Sequence, residues 1–388
     1  MTKSRCYSIH GLAGIELSGK DNYVDEFDRE LEFFRTSQGK PFLSLHVYEP
    51  LPENIKLSGS SPLGDELFYD VTEDKTIILL DPKPIFSAKD VMFVIFGDMR
   101  SSSQITVHVP NGIWKDPRWI TLAHNLFRRD SVNVPFEEVG GILCRIAEPC
   151  LYYHLPNQGY SFLHAGAVFK EKGVLFFGPS NIGKTSIVLE MVKRGWEFLG
   201  DDMIIIDERN HALAYPKTIK LEGQNIATHP YLYKPLSSKL GALDRFFLRR
   251  SMSAAANKPF KIALHASILE LFSEAKIRNE CNIDYIVRLA RSPQDKPTVR
   301  EIDLDSCVNS LAVGLFWEFN AQRWRHTEYR YCPSFPSAKD FILEEARHNE
   351  KITDIISKCI SRSKALELSM PYNYSKIDDA VDILLAKL

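Results

Sequence analysis

Several things are scarce in this 388-residue chain, and each scarcity narrows what it can be. No apolar run approaches the ~18 residues that span a bilayer. The longest, such as Val91-Met-Phe-Val-Ile-Phe96 and Gly173-Val-Leu-Phe-Phe177, are strand-sized. Excess charge of one sign is missing too: 48 Lys and Arg against 50 Asp and Glu leave a formal net charge of −2. A dedicated nucleic-acid binder normally carries net basic charge, so that class is disfavoured, although a local basic patch is not. With 20 Gly and 21 Pro the chain is neither collagen-like nor wholly disordered. The seven cysteines are odd in number and scattered, with no C-x-x-C pair. Cys144 and Cys150 lie closest, without the partners that zinc needs. They read as reduced, buried thiols. The first residues, Met1-Thr-Lys-Ser-Arg-Cys6, lack the apolar core and cleavage site of a secretory signal. The expectation is a cytoplasmic protein with no membrane and no nucleic-acid partner.

At about 150 residues per domain, the length predicts two or three domains. Residues 1–135 read as a β-rich N-terminal domain of short strands: Pro41 to Tyr48, Thr76 to Leu80, Val91 to Phe96 and Gln104 to Val109, separated by turn residues. Phe27, Leu31 and Phe34 have helical spacing. Residues 136–335 form the second domain. Phe136 to Leu155 reads as a helix that Pro149 should kink or end. Phe162 to Phe169 and Gly173 to Phe177 read as two strands joined by the turn Lys170-Glu-Lys172. Residues 336–388 form a mostly helical C-terminal segment, helical at Asp340 to His348 and Lys351 to Lys364, with a strand at Ala365 to Met370 and a last helix from Lys376.

The strongest signal is Gly178-Pro-Ser180-Asn181-Ile182-Gly183-Lys184-Thr185, a G-x-x-x-x-G-K-[ST] phosphate loop without substitution. Its glycines let consecutive backbone N–H groups turn toward phosphate oxygens. Lys184 supplies charge to the β- and γ-phosphates, and the Thr185 hydroxyl can ligate Mg²⁺. An apolar strand precedes the loop, and an amphipathic run from Ser186 to Arg194 follows it, adding a helix dipole to the same anion. Asp201 comes 16 residues after Thr185 (201 − 185), enough for one helix and a return, and Asp202 follows it directly. Both sit between apolar segments, where paired carboxylates need compensation. Mg²⁺ and Lys184 would compensate; one aspartate then serves the metal and the other is a general base.

Leu163-His-Ala-Gly-Ala-Val168, Gly173-Val-Leu-Phe-Phe-Gly-Pro-Ser180, Ile182-Gly-Lys-Thr185, Lys193-Arg-Gly195 and Leu199-Gly-Asp-Asp202 together resemble the catalytic domain of the HPr kinase/phosphorylase family and its HPr-kinase-like relatives. The resemblance is close over Leu163 to Asp207. It implies an α/β architecture with a P-loop kinase domain of the phosphoenolpyruvate-carboxykinase-like type. It implies ATP and Mg²⁺ as cofactors and transfer of phosphate to a hydroxyl, typically a serine of a peptide or protein substrate. It also suggests a homo-oligomer. Carried over, the catalytic residues are His164, Lys184, Asp201 and Asp202. Gly178, Ser180, Asn181, Ile182, Gly183, Lys184, Thr185 and Ser186 form the nucleotide cradle. Thr185 and Asp202 are the candidate metal pair, with the division of base and metal roles between the two aspartates left open. Asn181 stands where the family usually has glycine, but asparagine tolerates left-handed backbone. No match to the family's downstream signature is present. The pattern suits relatives that modify peptide natural-product precursors. The alternatives are a small-molecule hydroxyl kinase and a nucleotide-gated binding module.

Further candidates are weaker. Arg245, Arg249, Arg250, Lys258 and Lys261 could bring a cation to the γ-phosphate; so could Arg288 and Arg291. Gln322 to His326 could stack a base. Tyr215 to Leu221 and His229 to Pro235 could shape substrate choice.

Overall fold

The structure, a computed structural model, describes residues 2–37, 40–47, 147–238, 240–241, 245–246, 248–249, 252, 262–319, 338–372 and 377–388, with short strands at 61–63, 67–69, 77–81, 91–96, 105–109 and 132–133. The fold is mixed α/β, with four sheets among the described residues. The chain forms two compact units. One is Met1–Asp116, Phe136–Gln158 and Phe319–Glu350; the other is Pro117–Pro135, Gly159–Glu318 and Lys351–Leu388.

The first unit carries a nine-stranded sheet. Its strands include Thr2–Ile9, Ala13–Lys20, Leu43–Val47, Ile77–Asp81, Val91–Phe96 and Ile105–Val109. Leu43–Val47 runs parallel to both its neighbours; the other pairings are antiparallel. The expected strands are therefore present at residues 43–47, 77–81, 91–96 and 105–109. The helix Asp21–Leu31 buries Val24, Phe27 and Leu31, and the following turn buries Phe34, as the spacing predicts. Pro149 lies in the first turn of the helix Glu148–His154, where its missing N–H would have no partner anyway and its fixed φ suits the helix. Residues 136–146, expected to be helical, lie outside the described residues.

The second unit holds the phosphate loop. Its six-stranded sheet runs in the order Glu197–Gly200, Gly166–Phe169, Gly173–Phe177, Tyr285–Ser292, Lys364–Pro371, Thr298–Glu301. The central strand Gly173–Phe177 is buried along its whole length and pairs in parallel with Tyr285–Ser292, as a continuous apolar run should. Each of its large side chains stabilises the fold by roughly 1.5–3 kcal/mol through burial. Val168, Val174, Phe176, Ile187, Val188, Phe198 and Leu368 share one core. A four-stranded antiparallel sheet carries Tyr160–Leu163, Ile204–Asp207, His211–Leu213 and Glu280–Asn282. A small third sheet carries Val132–Asn133, Ile262–Ala266 and Ile219–Glu222.

The segment expected to be one strand, Phe162 to Phe169, is two. Tyr160–Leu163 pairs in the four-stranded sheet and Gly166–Phe169 in the six-stranded one, with a break at His164-Ala165. Both halves are apolar and buried on each face, so no alternation marked the break. Further on, the two expected helices, Asp340 to His348 and Lys351 to Lys364, are one helix, Ala338–Ile360, which stops four residues short of the expected end because Lys364 already opens the last strand. The last strand, Lys364–Pro371, and the last helix, Ile377–Leu385, fall where the pattern predicts.

Candidate functional site

Strand direction explains how distant residues meet. Gly166–Phe169 is antiparallel to both its neighbours, Gly173–Phe177 and Glu197–Gly200. Those two therefore leave the sheet at the same edge at which Gly166–Phe169 enters it. The phosphate loop follows Phe177, the aspartates follow Gly200 and His164 precedes Gly166, so all three gather at that edge. A bulge at Ala167/Val168 shifts the register beside Gly200. The helix Lys184–Lys193 packs over Gly166–Phe169. Its approach requires a glycine at 166, since an added Cβ would lie 2.6 Å from Val188 Cγ2 and 3.3 Å from Asp201 Oδ1.

The loop has the geometry its residues suggest. Asn181 takes φ 61° and Gly183 φ 116°, both left-handed, and Lys184 opens the helix directly after Gly183. The asparagine thus adopts a conformation that few other side chains tolerate. Ser180 and Asn181 are exposed; Ile182 and Ser186 are buried beneath the loop. Lys184 is buried, and its Nζ donates to the carbonyl oxygens of Gly178 at 2.9 Å and Pro179 at 3.4 Å. Burial lowers its amine pKa, opposed by the charges of Asp202, Asp201 and Glu318.

The two aspartates differ sharply in surroundings. Asp201 is buried and accepts a hydrogen bond from the Thr185 hydroxyl at 2.7 Å on Oδ2. Its Oδ1 is buried with no hydrogen-bond partner. Burial pushes its carboxyl up to about 6; the Asp202 charge adds to that rise, while the Thr185 hydrogen bond, Lys184 and His164 oppose it. Asp202, by contrast, has a half-exposed side chain and a positive φ of 75°. That conformation is uncommon outside glycine, least so for Asp and Asn, and such positions concentrate at functional sites. Its Oδ1 lies 3.4 Å from His164 Nε2, and its Oδ2 lies 3.8 Å from Lys217 Nζ. The other ring nitrogen of His164, Nδ1, is 3.1 Å from Glu318 Oε2. Lys217 itself is buried.

The structure thus brings together Lys184, Thr185, Asp201, Asp202 and His164, all legible in the sequence. Thr185 meets Asp201 rather than Asp202. Glu318 was not legible: it ends the helix Leu304–Glu318, far along the chain, in a largely apolar stretch with no motif around it. Lys217 lies in the Tyr215 to Leu221 segment noted for substrate choice, yet its own place beside Asp202 carried no signal. Among the described residues, no group of three or more His, Cys, Asp and Glu is arranged to hold a metal ion. A phosphate-loop cation does not need one, because a hydroxyl, a carboxylate and phosphate oxygens suffice. The orphaned Asp201 Oδ1 beside the Thr185 hydroxyl fits such a cation.

Of the weaker candidates, Arg288 pairs with Phe177 directly before the loop, while the other described ones lie elsewhere or are engaged. Arg245 is exposed, and Arg249 donates to the Tyr233 hydroxyl at 2.6 Å. Arg288 is bound to Glu367, and Arg291 donates to the Pro371 carbonyl. His229 is buried, followed by the turn Pro230–Leu232 and the helix Tyr233–Ser237. Arg250, Lys258, Lys261 and residues 322–326 lie outside the described residues.

No family model matches this chain, and no curated protein matches it in sequence.

Proposed function

We propose that the chain is an ATP-dependent kinase that transfers the γ-phosphate to a hydroxyl, that of a serine in a peptide or protein, in the cytoplasm. In this reading the second unit is a P-loop kinase domain of the HPr-kinase-like, phosphoenolpyruvate-carboxykinase-like type. The observation that carries it is the pairing of Thr185 with a buried Asp201 at 2.7 Å, with a half-exposed Asp202 as the very next residue. A plain nucleotide-binding module has use for the first carboxylate but none for the second.

The residues divide the work as their surroundings suggest. Bound Mg²⁺·ATP would supply the phosphoryl group and the charge neutralisation of its transfer. Thr185 and Asp201 hold the cation, and the backbone N–H groups of Gly178 to Thr185 and the amine of Lys184 hold the phosphates. Asp202 is open to an acceptor and orients its hydroxyl, taking the proton as the new O–P bond forms. Its neighbours His164 and Lys217 fix where its carboxylate lies. Positioning and electrostatics carry most of the rate in phosphoryl transfer, so a fixed carboxylate is a large part of what the protein must provide.

The test is incubation with Mg²⁺·ATP and serine-containing peptides, with phosphate gain read by mass spectrometry. A gain of one phosphate on serine, abolished by Asp202→Asn, is expected. Tight Mg²⁺·ATP binding without transfer to any hydroxyl would contradict the reading.

A further inference from the structure

We propose that Glu318 is a positioning residue of the transfer site, holding the His164 ring so that its Nε2 edge faces Asp202. The proposal rests on the kinase reading above and names a residue that neither the phosphate-loop pattern nor the aspartate pair contains.

The geometry is a chain of three groups. Glu318 Oε2 lies 3.1 Å from His164 Nδ1, and His164 Nε2 lies 3.4 Å from Asp202 Oδ1. The imidazole side chain is only 9% exposed. It cannot turn by half a ring without losing both contacts. Its backbone sits in the break between Tyr160–Leu163 and Gly166–Phe169, outside the pairing of either sheet. Packing confines the ring, and Glu318 is the charged group on its Nδ1 edge. The carboxylate is itself set on a firm base, because the helix Leu304–Glu318 packs against Tyr160–Leu163, the strand that leads into His164.

The consequence falls on Asp202. This residue holds an uncommon positive φ and is half exposed, so its carboxylate needs lateral support to keep one direction. Lys217 supports Oδ2 and His164 supports Oδ1. With Glu318 in place the imidazole has a carboxylate on its Nδ1 edge; without it that edge loses its charged partner, the ring can tilt within its pocket, and one of the two supports of Asp202 weakens. In the transfer step the acceptor O–H gives its proton to Asp202, the acceptor oxygen bonds to the γ-phosphorus, and the bond from that phosphorus to the bridging oxygen breaks, its electrons leaving with ADP. Glu318 and His164 exchange no proton in this step. A third group that orients an imidazole, itself aimed at the reacting group, commonly changes activity by one to two orders of magnitude.

The full chain is assayed with Mg²⁺ and γ-³²P-ATP, reading label released to water and label gained by pooled serine peptides. Glu318→Gln should lower kcat by roughly 10- to 100-fold with the KM for ATP within about twofold of wild type. Glu318→Asp, which keeps the charge, should recover part of the loss. The double variant Glu318→Gln with His164→Gln should be no slower than His164→Gln alone, since Glu318 acts through that ring. An unchanged kcat in Glu318→Gln, a rise in KM alone, or full additivity in the double variant would each overturn the proposal while leaving the kinase reading standing. A loss in Glu318→Gln that Glu318→Asp fails to relieve, with lowered thermal stability in both, would assign Glu318 to folding and also overturn it. Wild type that binds Mg²⁺·ATP and transfers nothing would overturn both together.

Discussion

Replacing Thr185 by valine and Asp201 by asparagine should move stability in opposite directions. Asp201 is buried, one of its oxygens has no partner, and the other has the Thr185 hydroxyl at 2.7 Å. Its carboxyl is raised from the ordinary 3.8 to about 6. That rise means that keeping the charge in the folded protein at neutral pH costs about 3 kcal/mol relative to the unfolded chain. Thr185→Val keeps the shape and removes the donor, leaving both carboxylate oxygens without it. A lost hydrogen bond to a charged group costs about 1.5–3 kcal/mol, so the variant should be less stable by that amount. Asp201→Asn removes the charge and keeps an oxygen for the Thr185 hydroxyl, so it should be neutral or stabilising by about 1–3 kcal/mol. Urea unfolding at pH 7.5 without nucleotide or Mg²⁺, comparing midpoints at equal slope, measures both. A stabilised Thr185→Val, or an Asp201→Asn that loses several kcal/mol, would refute the view that this carboxylate is a buried charge only partly compensated by its neighbours. Under the kinase reading, a bound cation would relieve that cost, and functional sites often sacrifice stability in this way.

His229 is buried with Nε2 unpartnered, and burial lowers its pKa from 6.5 to about 4, with Asp378 opposing and Lys193 reinforcing. The folded pKa lies below the unfolded one, so the unfolded chain binds the extra proton first. Stability should therefore fall by up to about 3 kcal/mol as pH drops from about 6.5 to about 4, and His229→Asn should flatten that part of the profile. Glu367 is buried; burial alone would raise its carboxyl pKa, but hydrogen bonds from Arg288 and Arg300 outweigh that and hold it low. Glu367→Leu should cost about 2–4 kcal/mol in urea unfolding, because it strands the partly buried Arg288. Gly166→Ala sets a Cβ 2.6 Å from Val188 Cγ2 and should lose about 1–3 kcal/mol, together with weaker Mg²⁺·ATP binding by titration calorimetry, since the helix Lys184–Lys193 must shift.

What could be read in advance was local. The phosphate loop is legible because its requirements fall on consecutive residues: positive φ at Asn181 and Gly183, a helix opening at Lys184, an apolar strand before Gly178. The aspartates are legible because one helix separates them from the loop. His164 needed the family resemblance, since a histidine amid apolar residues has no periodic signature. Glu318 and Lys217 were hidden for a different reason. They reach the site through tertiary packing, from the end of a helix and from a loop beyond the next hairpin, and no spacing rule spans such distances. Pro149 sits in the first turn of Glu148–His154, since the residue that breaks a helix interior also suits a helix start. The split of Phe162 to Phe169 between two sheets left no mark because both pieces are buried on both faces.

The most direct measurement follows ³²P from γ-labelled ATP into pooled serine peptides, with wild type, Lys184→Met and Asp202→Asn side by side and with Mg²⁺ present or chelated. Label on serine that requires Mg²⁺ and is lost in both variants is the predicted result. Nucleotide bound by wild type with no label on any hydroxyl, or transfer undiminished in Asp202→Asn, would contradict the account.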